Sequence, residues 1–182
     1  MSMLSRLLRR SGDDGDGLVV EPMRKRHVDD VMPIERVSYP KPWTEATFTG
    51  ELEMARRGER TYLVARRGGA LVGYAGLMYV VDDAHVTNIA VAPAQHRHGV
   101  ATRLLAELAW SALDRRCQAL TLEVRVTNTG AQELYRRFGF VPAGIRQRYY
   151  ENTDDAIVMW CNEIDNDAYR DRLRELCPDI ER

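Results

Sequence analysis

The chain has 182 residues, with 26 Lys and Arg balanced by 27 Asp and Glu and a formal net charge of −1. That length suits one domain able to bury a real core, and the near-neutral charge excludes broad attraction to nucleic acid. No apolar run is long enough to span a membrane. Residues 1–17 combine a short basic stretch with SGDDGDG and are expected to form a disordered tail rather than a signal peptide. Leu18 to Met23 is expected as a first strand. His27 to Ser38 is a candidate helix with Val28, Val31, Met32 and Val37 as its apolar face, and Pro33 is expected to bend or shorten it. YPKPW, at Tyr39 to Trp43, reads as a stiff loop. Thr44 is placed to cap a second helix running to about Met54.

A hairpin follows: Tyr62 to Arg66, a turn at Gly68 and Gly69, then Leu71 to Val81. Asp82 and Asp83 read as the next turn. Val86 to Val91 is apolar and β-branched, as a buried strand requires, and Pro93 stops it. The connection through Ala101 is tight and basic, with Gly99 at its centre. Leu104, Leu105, Leu108, Ala109 and Ala112 then recur at helical spacing through Arg115. Ala119 to Val126 reads as a strand and Asn128 to Phe138 as a helix ended by Gly139. Val141 to Tyr150 and Ala156 to Ile164 read as two more strands. Asp165 to Leu176 is expected to be a charged, peripheral helix, giving a core domain over 18–164 and an extension over 165–182. This element order implies a mixed sheet with helices on both faces.

Two features point toward chemistry. A strand feeding a glycine turn that opens a helix leaves backbone N–H groups unpaired at the positive end of the helix dipole, which favours an anion such as a pyrophosphate. Arg97, His96 and His98 add donors there. An ordinary strand–turn–helix with basic surface residues explains the same stretch. Secondly, Glu123 stands mid-strand, where glutamate is disfavoured. Leu120, Leu122, Val124 and Val126 point one way, and Thr121, Glu123 and Arg125 the other. A solvent-facing Glu–Arg pair fits this pattern as well as a general base does. Cys117, Cys161 and Cys177 form no CxxC pair, and an odd thiol remains in any pairing. Buried free thiols in a reducing, cytoplasmic setting are therefore expected. The four histidines show no metal-ligand spacing, and no metal is expected.

HRHGVA, at His96 to Ala101, resembles the acyl-CoA loop of the GNAT N-acetyltransferase family, written Gln/Arg-x-x-Gly-x-Gly/Ala; it departs at His96. NIAV at Asn88 to Val91, LEVRVTN at Leu122 to Asn128 and ELYRRFGF at Glu133 to Phe140 strengthen the likeness. With YPKPW and RYYENTDDAIVM (Arg148 to Met159), the set resembles RimI-type protein N-terminal acetyltransferases over Leu18 to Glu163. The resemblance implies a mostly antiparallel twisted sheet of about seven strands. It implies acetyl-CoA as co-substrate, held by Ile89, Ala90, Val91, Arg97, His98, Gly99, Val100, Ala101, Thr102 and Asn128. Glu123 is implied as general base and Tyr135 as general acid. Without the likeness, Tyr135 would read as a core aromatic with its hydroxyl at the edge. Tyr39, Trp43, Tyr149 and Tyr150 are implied to line a peptide entrance. The implied acceptor is a protein N-terminus, the alanine of a small-subunit ribosomal protein, with no direct nucleic-acid or membrane partner. Acetylation of a lysine or a small amine, and a non-catalytic acyl-CoA sensor, are the competing readings; a sensor needs neither Glu123 nor Tyr135.

Overall fold

The computed structural model describes residues 17–150 and 154–182, so the expected tail over 1–16 and the tip of the polar loop at 151–153 lie outside the described residues. Seven strands form one sheet: β1 (Leu18–Pro22), β2 (Arg60–Arg67), β3 (Ala70–Val80), β4 (Asp83–Val91), β5 (Ala119–Arg125), β6 (Val141–Tyr150) and β7 (Asp154–Asn162). Their spatial order is β1-β2-β3-β4-β5-β7-β6. Every pairing is antiparallel except β4 with β5. The mixed, mostly antiparallel sheet expected from the sequence is the observed one.

Helices cover both faces. On one side α1 (Val28–Ser38) and α2 (Glu45–Arg56) bury Val31, Ile34 and Phe48 against Tyr62, Val64 and Tyr74 of the sheet. On the other, α3 (Val100–Asp114) presents Leu104, Leu105, Leu108, Ala109 and Ala112, all fully buried, to the larger core. That stripe is the one its i, i+3, i+4 spacing predicts. Beside it lie α4 (Thr129–Arg137), capped by Asn128 Oδ1 accepting from the Ala131 N–H at 3.1 Å, and α5 (Asp167–Leu176). Thr44 caps α2 as expected, accepting from the Thr47 N–H at 3.2 Å.

The structure revises several local expectations. Helix α1 runs unbroken through Pro33. Pro33 faces solvent while Val31, Met32, Ile34 and Glu35 are buried, so packing on both sides of the proline holds the helix across the lost hydrogen bond. Val37 is not on the apolar face; it is 60% exposed. The β3–β4 turn uses Val81 and Asp82, and Val80 pairs with Asp83, so β4 starts three residues earlier than its apolar run suggests. Helix α3 begins at Val100, so Val100 and Ala101 are helical rather than part of the loop. Helix α5 is not peripheral: Tyr169 and Leu173 are buried in the same core as α3. Its charged sequence describes only the exposed face.

Two irregularities shape the middle of the sheet. Gly76 pairs with Asn88 and Leu77 with Val86, leaving Thr87 as an extra residue in β4. This bulge switches the faces. Ala84 and Val86 pack toward α3 before it, and Ile89 and Val91 do so after it, while Ala90 joins the α1–α2 side. A Cβ on Gly76 would lie 2.5 Å from Thr87 Oγ1 and 2.6 Å from Asn88 Oδ1, so the bulge requires glycine there. The second irregularity is a splay. Strands β4 and β5 pair only over Asp83–His85 and Ala119–Thr121, and beyond that rung they diverge.

Candidate active site

The splay opens a cleft of about 1150 Å³ between the C-terminal halves of β4 and β5. Its walls include Ile89 to Val91 from β4, Leu122 to Arg125 from β5, Arg97 to Arg103 at the start of α3, and Asn128 to Tyr135 around α4. Parallel strands that part company leave backbone groups on their facing edges without a ladder partner. The direction of those groups follows from their neighbours. The Ala92 N–H donates to Val72 C=O on β3 at 2.8 Å. The Tyr39 hydroxyl donates to Ile89 C=O at 3.2 Å, and His96 Nε2 contacts Val91 C=O at 2.9 Å. Backbone groups alternate edges along a strand, so the N–H groups of Ile89 and Val91 point into the cleft.

At one end of the cleft lies the start of α3. Gly99 is its N-cap at φ 78°, in the left-handed region that glycine adopts without strain. A Cβ built there would meet no atom within 4 Å, so the loop presents bare backbone to open space. No side chain caps this helix. The N–H groups of Val100, Ala101 and Thr102 are left for an anion at the positive end of the dipole. A pyrophosphate fits such a cradle. Arg67 braces the loop from β2, donating to His98 C=O at 3.1 Å and to the Gln95 side chain.

At the apex stands Glu123. Its carboxylate is largely buried and has two side-chain partners: His85 Nε2 lies 2.9 Å from Oε2, and Arg146 Nη1 lies 3.1 Å from Oε1. The other ring nitrogen of His85 is 2.8 Å from Thr121 Oγ1. Burial pushes the His85 pKa below its ordinary value, and Arg146 pushes it the same way, against the attraction of Glu123. Neutral His85 thus donates from Nε2 to the carboxylate and accepts at Nδ1 from the Thr121 hydroxyl. A carboxylate has about four lone-pair sites, so Glu123 keeps capacity for a proton after both contacts.

Tyr135 is buried on α4, with its ring 5.8 Å from that of Phe140. Burial raises its pKa, with the Tyr150 hydroxyl adding to the effect, so the phenol holds its proton throughout the neutral range. Tyr39 is raised too, first by burial and then by Tyr135, Glu35 and Tyr150. Tyr39, Tyr135 and Tyr150 all line the same cleft. The Tyr150 hydroxyl donates to Glu123 C=O at 3.2 Å, and the Arg125 guanidinium lies 4.2 Å over its ring. Buried Glu35 sets the loop that carries Tyr39: its carboxylate accepts from the Trp43 N–H at 2.6 Å and from the Tyr74 hydroxyl.

The cleft therefore collects Glu123, Tyr135, Asn128, Ile89, Ala90, Val91, Arg97, His98, Gly99, Val100, Ala101, Thr102, Tyr39 and Tyr150. Two expected entrance residues fall elsewhere. Trp43 packs edge-on against Phe48 at 5.4 Å within the α1–α2 cluster. Tyr149 is 47% exposed and stacks on Tyr150 and Arg146. Here β6 is irregular, with Arg148 at φ 51° and the β6–β7 register shifting between Arg146 and Tyr150, so simple strand alternation does not aim Tyr149 into the cleft. Sequence reasoning missed His85, Arg146 and Glu35, and also Leu176 to Asp179, which line the cleft beside α3.

The sequence pattern of the Acetyltransferase (GNAT) family matches residues 28–140. The chain belongs to the GNAT acetyltransferase family. Among its GNAT relatives is the ribosomal protein bS18-alanine N-acetyltransferase of Escherichia coli, 38% identical over 131 residues, which span 69% of this chain and 84% of that protein. The N-alpha-acetyltransferase RimI of Mycobacterium tuberculosis is 41% identical over 124 residues, 65% of this chain and 74% of the relative. The crystal structure of the Escherichia coli ribosomal-protein-S18-alanine N-acetyltransferase superposes with a TM-score of 0.72 at 29% identity, covering 80% of this chain and 94% of that one. GNAT enzymes use acetyl-CoA, and the cleft described above has the bare-backbone cradle that such a ligand needs.

Proposed function

We propose that this chain transfers the acetyl group of acetyl-CoA to the N-terminal alanine of ribosomal protein bS18. One observation carries the reading: a single splay of the sheet brings a buried carboxylate, a protonated buried phenol and two outward-facing strand amides to the same cleft. The likeness to bS18-alanine acetyltransferases supports the choice of acceptor. Arg97 to Thr102 hold the pyrophosphate, and Asn128 with Ile89 to Val91 hold the pantetheine arm. Acetyl-CoA supplies an acyl group activated as a thioester, with a thiolate to leave. Glu123 takes a proton from the amine, directly or through a water. The N–H groups of Ile89 and Val91 stabilise negative charge developing on the acyl oxygen. Tyr135 donates to the departing sulfur. No covalent enzyme intermediate is needed, and the three described cysteines are buried and free, which accords with a reducing cytoplasm.

An α-amine suits this site better than a lysine. Its reference pKa of about 7.7–8.0 makes the neutral form cost about 1 kcal/mol at pH 7, against about 4.6 kcal/mol for a lysine near 10.4. Two short peptides test the class: one with a free alanine N-terminus and no lysine, the other N-terminally blocked and carrying lysine. Mass spectrometry is expected to show acetylation of the first and little of the second. Efficient modification of the blocked peptide alone would refute the α-amine assignment.

A further inference from the structure

His85 and Thr121 are the last paired rung between β4 and β5 before the strands part. They stand at the point of the cleft, with Thr121 two residues before the catalytic carboxylate on β5. Their side chains form a directed chain: the Thr121 hydroxyl to His85 Nδ1 at 2.8 Å, then His85 Nε2 to Glu123 Oε2 at 2.9 Å. The carboxylate's other oxygen already meets the Arg146 cation at 3.1 Å. Thr121 is buried, and His85 is about three-quarters buried, so this chain is shielded from water.

We propose that His85 is a positioning residue for acyl transfer: held by Thr121, its Nε2–H fixes the rotamer of Glu123 without adding a second cation to that carboxylate. The proposal rests on the reading of Glu123 as general base. A carboxylate free to turn about χ3 loses alignment with the amine, and alignment is a large part of catalysis. Were His85 protonated, Glu123 would face imidazolium and guanidinium together and would give up basicity. The charged groups facing the ring are Glu123 from β5 and Arg146 from β6; its cross-strand neighbour on β3 is Met78. Burial holds His85 neutral at neutral pH.

The test compares the full chain with its His85→Ala, His85→Gln and Thr121→Val variants, using an alanine-initiated peptide and acetyl-CoA across roughly pH 5–9. His85→Ala should lower kcat about ten- to a hundredfold, the scale seen when a group orienting an essential ligand is removed, with KM for acetyl-CoA unchanged. His85→Gln, which places an amide donor near the same point, should regain most of that loss. Amine protonation alone gives log(kcat/KM) a slope of one on the acid side. The parent should fall more steeply once the pH drops below the ordinary histidine range and His85, its pKa lowered by burial, becomes charged, and the non-titrating glutamine variant should keep the slope of one. A folded His85→Ala variant within twofold of the parent over this range overturns the proposal, as does a slow alanine variant that glutamine does not rescue. If His85→Ala fails to fold, Thr121→Val decides: unchanged kcat refutes the chain, and a drop supports it. Histidine 15N spectra of the parent should show the Nε2–H tautomer at residue 85, assigned by its absence in His85→Gln. That spectrum separates the failures. An inactive parent with the expected tautomer removes the functional reading, and an Nδ1–H tautomer removes this proposal.

Discussion

At Glu123 three strands meet through side chains: the glutamate from β5, His85 from β4 and Arg146 from β6. A carboxylate in mid-strand is visible in a sequence as an oddity. Its partners are not, because His85 is 38 residues away and became adjacent only through the one parallel pairing in the sheet. Tyr135 was legible as an edge aromatic, and its burial explains why it stays protonated. Trp43 misled because an aromatic beside two prolines looks like a binding loop; its ring instead completes the core against Phe48. If base and acid are separate roles, Glu123→Gln and Tyr135→Phe each slow turnover by about a hundred- to ten-thousandfold. Acetyl-CoA affinity should stay nearly constant in both. Steady-state kinetics paired with calorimetric binding checks this, and loss of affinity without loss of kcat would assign both residues to ligand positioning.

Among the elements, α3 was the easiest to foresee, since its apolar stripe and the glycine before it are local signals. The cradle it forms is equally local: a left-handed Gly99 and an uncapped first turn. The bulge at Thr87 leaves only a faint local trace, the consecutive polar Thr87 and Asn88 that break the alternation of Ala84, His85 and Val86, while the glycine that permits it, Gly76, lies on the neighbouring strand. That bulge turns Ile89 and Val91 toward the α3 side, on the strand edge where the cleft opens. For the cradle, acetyl-CoA at a hundredfold excess over its Kd should stabilise the fold by about 2.7 kcal/mol, read as a rise in Tm. Gly99→Glu should abolish the rise, since it sets a carboxylate where the pyrophosphate belongs. A folded variant showing the full rise would move the phosphate site elsewhere.

Across the whole molecule, most strands and helices were legible because their apolar periods match the faces they bury. The insertion of β7 between β5 and β6 was not, since adjacency of non-sequential strands leaves no local trace. The same is true of the chain end. Helix α5 carries many charges, yet Tyr169 and Leu173 tie it to the core, and Leu176 to Asp179 border the cofactor end of the cleft. The proposed reaction acts at one nitrogen. Incubation of the purified chain with acetyl-CoA and unacetylated bS18, followed by fragment-ion mass spectrometry, locates that nitrogen directly. The expected result is one acetyl group on the N-terminal alanine, absent when the Glu123→Gln variant replaces the parent over the same interval. Acetyl groups on lysine side chains with the alanine left free, or full modification by the Glu123→Gln variant, would contradict it.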